Sequence, residues 1–334
     1  MTSTSERAAA HAVAADRAGT PEQAELARGL AADPEVLAVV DRAPESRRQP
    51  VLVLAVARWL GAPRGPWSEV REWLLDHADE VVAALTTKLT QTNDVRRHGA
   101  VSLGLALADL PGPVSLLEVG ASAGLGLHLD RYGWRSPAPA GGRELRWGDP
   151  RSPVQLDVAL GAGPARTALE RTGVRLPAVV RRTGLDLAPV DVLDDEQVRW
   201  LDALLPAEAT GRRDLLARAV RVTRDAPPAL LTGDAVDALA DAVAAARHPG
   251  AHLVVVTTGV LVYLPGARRQ ALTDALGALD ATWASYERTG SLHAVPVPAG
   301  VDPADPAAFA TLAVDGRPLA VGDAHGTSLR SVGD

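Results

Sequence analysis

The stretch Leu116-Leu117-Glu118-Val119-Gly120-Ala121-Ser122-Ala123-Gly124-Leu125-Gly126-Leu127 decides the fold. An apolar run that starts at Val114 carries a single acid near its end. A turn of glycine, alanine and serine follows, and then apolar spacing that predicts a helix over about residues 122–131. Strand, tight turn, helix brings backbone N–H groups and small side chains close to a bound ligand. Gly120, Ala121, Ser122 and Gly124 give a nucleotide-like molecule that approach. Phosphate is the usual occupant of such a turn, but Glu118 repels it and suits a ribose hydroxyl or a cation instead. The expected cofactor is therefore S-adenosylmethionine, with its sulfonium and ammonium groups, ahead of a dinucleotide.

The remaining strands build on this one. Residues 177–186 read as a second strand ending in Asp186, and residues 229–234 as a third ending in Asp234. His252 to Thr257 is a near-continuous apolar run, the pattern of a strand in the middle of a parallel sheet. Helical segments are expected over residues 196–205, 212–224, 235–247 and 266–279, with strands over 282–287 and 292–297 and a closing hairpin over 309–314 and 318–321. Alternation of strand and helix predicts an α/β, doubly wound, mostly parallel Rossmann-like sheet. Residues 111–334 form that domain, with an irregular, Pro- and Gly-rich insertion at about 133–178. Residues 1–110 read as an N-terminal helical cap region. Glu118, Asp186 and Asp234 then share the carboxyl edge of the sheet, where open α/β sheets bind ligands.

Composition narrows the classes. The chain has 334 residues, 47% of them hydrophobic, enough for one large or two modest cores. No apolar run reaches the roughly 18 residues of a membrane helix, and the N-terminus lacks a signal-peptide core, so a cytoplasmic protein with no membrane partner is expected. The formal net charge of -7 argues against a nucleic-acid surface. With no cysteine, disulfides and thiolate chemistry are excluded. Lys88 is the single lysine among abundant arginines, and no glycine-rich loop precedes it, so neither a P-loop nor a Schiff base is expected. No metal-ligand spacing is present, and His128, His293 and His325 stand alone in sequence.

Two local patterns carry alternatives. Thr90-Gln91-Thr92-Asn93-Asp94 is either a cap, with Asn93 or Asp94 starting a helix over residues 95–110, or a loop facing cofactor or substrate. Gly120-Ala121-Ser122-Ala123-Gly124 also fits a G-x-S-x-G elbow, which would make Ser122 a hydrolase nucleophile with Asp234 and either His293 or His325. A non-catalytic ligand-binding protein on the same fold is the third reading.

The chain resembles an uncharacterised bacterial family, domain of unknown function 2332. The resemblance lies in Thr90-Gln91-Thr92-Asn93, Leu117 to Leu125, Asp130-Arg131-Tyr132, Gly148-Asp149-Pro150 with Ser152-Pro153-Val154, Arg182 to Pro189, Arg199-Trp200-Leu201, Gly233-Asp234 and Val260 to Leu264. It implies a class I methyltransferase-like fold. It adds weight to Asp149 and Arg182 as pocket residues and to Thr90 to Asn93 as a site loop. In the methyl-transfer reading itself, Gln91, Asn93, Arg182 and Tyr263 lie on the side of a small-molecule acceptor, and Asp149 or His325 is the candidate base. The chain departs from the family pattern at Gly126, where Asn is expected, at Thr257-Thr258, where His-Ser is expected, and at Gly322 to Gly326, where His-Pro-His-Gly is expected.

Overall fold

The structure is a computed structural model and describes residues 2–333. The chain divides into two units, Met1–Thr92 with Asp191–Ala217, and Asn93–Val190 with Arg218–Asp334. The first is helical, with helices Thr4–Arg17, Pro21–Ala32, Pro34–Val40, Pro50–Leu60, Trp67–Asp76, Ala78–Thr87 and Asp195–Ala203. Proline opens three of these at the first helical position, where its missing N–H is no loss. The core gathers Leu52 to Ala57, Val81 and Leu85 with Trp200 and Ala203, which come from the second segment.

Among the described residues, the second unit holds twelve strands: β1 (Val114–Val119), β2 (Gly133–Ser136), β3 (Leu145–Gly148), β4 (Gln155–Asp157), β5 (Ala159–Leu160), β6 (Val179–Asp186), β7 (Ala229–Thr232), β8 (His252–Thr258), β9 (Thr282–Arg288), β10 (Ala310–Val314), β11 (Arg317–Gly322) and β12 (Ser328–Ser331). The main sheet runs β5-β12-β11-β10-β9-β8-β1-β6-β7. The five strands β7, β6, β1, β8 and β9 are parallel, while β10, β11 and β12 pair antiparallel. The sheet is thus mixed, with its parallel half at the end that carries the acids. Every residue of β1 is buried. Leu117 and Val119 pack with Leu239, Val243, Leu272 and Leu276 from helices Leu239–Ala246 and Gly266–Gly277. Strand alternation turns Leu116 and Glu118 the other way, toward helix Arg97–Leu107. Both faces of β1 are covered, which explains its unbroken apolar run.

Several sequence expectations are corrected. The boundary expected at residue 110 lies at 92, and residues 191–217 join the helical unit. Helix Arg97–Leu107 belongs with the sheet because its glycines dock there: a Cβ on Gly99 would lie 2.3 Å from Val158, and one on Gly104 would lie 3.1 Å from Leu312. The helix expected after the glycine turn is a single 3-10 turn, Leu125–His128. Gly120, Ser122 and Gly124 all have positive φ, an alternation no α-helix accommodates. Residues 292–297 are irregular rather than a strand, since Pro296 and Pro298 remove ladder donors. The insertion forms its own three-stranded sheet, β3-β2-β4, and then adds β5 to the edge of the main one. Among the described residues no helix is long and apolar enough to cross a membrane.

Candidate functional site

Glu118, Asp186 and Asp234 stand at the carboxyl ends of β1, β6 and β7, three adjacent parallel strands. Their carboxyl groups are in different states. Asp186 tethers the glycine turn: its Oδ2 accepts the Ser122 N–H at 2.8 Å and its Oδ1 the Ala188 N–H at 2.9 Å. Glu118 is 3% exposed. Its Oε1 accepts His98 Nε2 at 2.7 Å, Thr258 Oγ1 lies 3.5 Å away, and its Oε2 is buried with no hydrogen-bond partner. Asp234 is taken up by its own turn and by an ion pair with Arg268. The Val236 N–H holds it below the usual carboxylate range against burial, and Arg268 assists.

The turn that follows β1 is dense. Residues 121–129 are all buried. A Cβ on Gly120 would lie 2.4 Å from Val260, one on Gly124 2.5 Å from Pro228, and one on Gly184 2.6 Å from the Ala121 methyl. Positive φ and close packing therefore account for these glycines. Ser122, at φ +50, sits in a region that non-glycine residues rarely adopt.

Asn93 does not cap a helix. Its Nδ2 donates to Ser122 Oγ at 2.9 Å and its Oδ1 accepts the Ala123 N–H at 3.2 Å. Asp94, buried beside it, accepts from Arg96 Nε and Nη2 at 2.7 and 2.6 Å and from His325 Nδ1 at 2.7 Å. Burial opposes the charge of Asp94, but the bonds from His325 and Arg96 outweigh it and hold the carboxyl well below the usual range. His325 thus meets Asp94 and not Asp234, so the Asp234–His325 pairing of a Ser122 hydrolase is not formed.

The other expected residues are dispersed. Arg182 donates to both oxygens of Asp130, at 2.7 and 2.6 Å. Asp149 binds its own turn through the Arg151 N–H at 2.9 Å. Tyr263 is 72% exposed, on the 3-10 turn Leu261–Tyr263 that follows β8. Gln91 belongs to the helical unit. His128 is fully buried with both ring nitrogens unpartnered, and burial, with Arg182 and Arg131, pushes it down to about 3, which leaves it neutral. Among the described residues no cluster of three His, Cys, Asp or Glu is placed for a metal ion.

His98 and Glu287 are the groups sequence reading missed. Glu287 on β9 accepts the N–H groups of Val260 and Leu261 at 3.1 and 3.2 Å and is fully buried. Neither residue lies in a motif. Only the pairing of a lone acid on an apolar strand with a distant partner marks them.

Residues 5–330 match the family described as "Uncharacterized protein conserved in bacteria (DUF2332)". The chain belongs to the DUF2332 family. No curated protein and no solved structure matches it. Within this DUF2332 chain a Cβ on Gly126 would lie 1.9 Å from His98 Nε2, so the His98–Glu118 bond occupies the space of a side chain at 126. Thr257 Oγ1 accepts the buried Trp283 indole N–H at 3.2 Å.

Proposed function

We propose that the carboxyl edge of β1 and β6 binds S-adenosylmethionine and that the protein transfers a methyl group to a small-molecule acceptor on a methyltransferase-like sheet. The observation that supports this best is the pair Glu118 and Asp186, on adjacent parallel strands with a glycine turn between them. The strand order of the parallel half, with the first strand central and the second and third on one side, agrees with a Rossmann-like arrangement.

The polar ends of the cofactor fit this donor set. A buried carboxylate oxygen without a partner is costly and calls for a cation or a donor, and Glu118 Oε2 is such an atom. Glu118 would take the ammonium end. Asp186, whose two oxygens accept the Ser122 and Ala188 N–H groups, keeps lone pairs for ribose hydroxyls. When bound, the cofactor supplies an electrophilic methyl group. The chain's own task is positioning, which is a large share of any transfer rate.

Ser122 supports a second reading through its strained φ of +50, the conformation of a hydrolase nucleophile. Its hydroxyl is engaged by Asn93, and the short turn after it is not the helix an elbow requires.

Calorimetric titration of the folded chain with S-adenosylmethionine and S-adenosylhomocysteine tests the proposal. Micromolar binding is expected, weakened about tenfold by Asp186→Ala, the worth of one charge-assisted hydrogen bond. Unchanged affinity in that variant removes Asp186 from the site. No binding at millimolar ligand removes the cofactor, and labelling of Ser122 by a fluorophosphonate would then favour the second reading.

A further inference from the structure

We propose that His325, held by Asp94, is a proton-accepting base at the carboxyl edge of the sheet, serving small molecules that react through an O–H or N–H group.

The loop that carries His325 is fixed from several sides. Asp323 accepts the N–H groups of His325 and Ser328 and the Thr327 hydroxyl, each at 2.7 Å. Tyr286 Oη donates to the Asp323 carbonyl at 2.5 Å, and Arg97 Nε to the Ala324 carbonyl at 3.0 Å. Gly326, at φ +69, lies so close to the start of helix Arg97–Leu107 that a Cβ would be 3.1 Å from Arg97 Cα. The same short segment reaches the glycine turn, because Asn93 bonds Ser122 and Ala123 while the next residue, Asp94, bonds His325. The imidazole therefore stands at the edge where Glu118 and Asp186 lie.

Its orientation is set from inside. The Asp94 side chain is 3% exposed and that of His325 44%. A carboxylate only accepts, so the 2.7 Å contact puts a proton on Nδ1 and leaves the neutral ring its lone pair on Nε2. Arg96 grips both oxygens of Asp94, so the carboxylate cannot swing away. Arg96 also offsets its charge. Asp94 is thus a positioning residue that selects the tautomer and direction of the ring. The charged and titratable groups around the loop are Asp94, Arg96, Arg97, Asp323 and Tyr286.

The proton step balances simply. Nε2 takes the proton of the bound O–H or N–H, the ring becomes an imidazolium beside the Asp94 carboxylate, and the proton leaves to water from the exposed side. A thioether or a tertiary amine needs no such step. The inference goes beyond the cofactor reading, since proton acceptance serves transfer and hydrolysis alike.

The test uses the full chain, imidazole-labelled with nitrogen-15 and with no ligand added. Long-range proton–nitrogen spectra are recorded between pH 5 and 9, with His325→Gln to assign the signal. The expected result is a ring whose Nδ1 carries the proton toward Asp94, with Nε2 bare in its neutral form, and a loss of that preference in Asp94→Asn. Diethyl pyrocarbonate should modify Nε2 of His325 severalfold faster in the native chain than in Asp94→Asn, with the exposed His293 unchanged as control. An Nε2–H tautomer, or an imidazolium that persists to pH 9 as a purely structural ion pair would, overturns the proposal. The native tautomer decides even if a variant fails to fold. Because no cofactor is present, failure here leaves the cofactor proposal standing.

Discussion

Gly126 is the tightest position near the glycine turn, because the His98 ring fills the place of its side chain. His98 and Glu118 are 5% and 3% exposed, and the bond between them is 2.7 Å. Gly126→Ala puts a methyl 1.9 Å from Nε2, so the ring must move and Glu118 loses its partner. Overpacking and an unmet buried acceptor together should cost about 2–4 kcal/mol, read as a fall in the urea midpoint. A change below about 0.5 kcal/mol would mean that the ring has another berth. The sequence shows Gly126 and Glu118 but not their relation. Glu118 is visible because it interrupts an apolar strand. His98 is not, because a histidine in a mixed helix carries no period and no spacing. Asn93 is half visible: a polar run marks a turn, and only its partner distinguishes cap from site. Arg182 is marked by resemblance alone and Asp149 by its Gly-Asp-Pro turn as well, and both are engaged by bonds within the fold.

At the scale of elements, β8, β9 and the turn between β8 and the following helix act as one piece. The first N–H of that turn, Gly259, goes to the Tyr286 carbonyl and the next two, Val260 and Leu261, to Glu287 on β9, while Val260 lies over Gly120. Burial raises the Glu287 carboxyl to about 7, against the pull of the two N–H groups and of Arg97, the charged neighbour on the facing helix. The sign follows from linkage. An unfolded glutamate ionises near about 4.3, so between roughly that pH and 7 the folded chain holds a proton that the unfolded chain has lost. Its contribution to stability is present at low pH and declines as pH rises through the window, by an amount of order 3 kcal/mol. Glu287→Gln removes the titration. Urea unfolding at pH 5 and pH 8 should therefore show the variant gaining on the native chain as pH rises, and parallel curves would place the group's titration elsewhere. β8 is legible because a near-continuous apolar run marks it. The absent helix after the glycine turn is not, since alternating small residues suit a helix in composition while three positive φ angles forbid it.

At the scale of the molecule, the parallel half of the sheet follows from the strand–helix alternation, whereas the strand order and the partition of the chain do not. Hydropathy along the sequence gives no sign that residues 191–217 return to the helical unit, because a domain made of two segments is defined by contacts distant in sequence. Those contacts are specific. Trp200 meets Trp59 edge-on at 6.0 Å between ring centroids and donates its indole N–H to the Leu89 carbonyl at 3.2 Å. The Lys88 ammonium lies 4.0 Å from the Trp59 ring centroid and 5.2 Å from that of Trp200. Arg58, mostly buried, donates to the Ala203 carbonyl at 2.9 Å. Removing one buried tryptophan from a core costs about 3–5 kcal/mol, a large part of the roughly 5–15 kcal/mol that holds a domain together. A fragment of residues 1–110, cut where composition suggests, leaves out Trp200 and Ala203 and also strands helix Arg97–Leu107 away from its sheet. It should lack a cooperative thermal transition in circular dichroism and lack near-ultraviolet tryptophan signal. Residues 1–92 joined to 191–217 through a flexible linker should regain both. If the 1–110 fragment melts as sharply as the joined two-segment chain, the Trp59–Lys88–Trp200 stack is an ornament of the unit and its core is closed by the first segment alone.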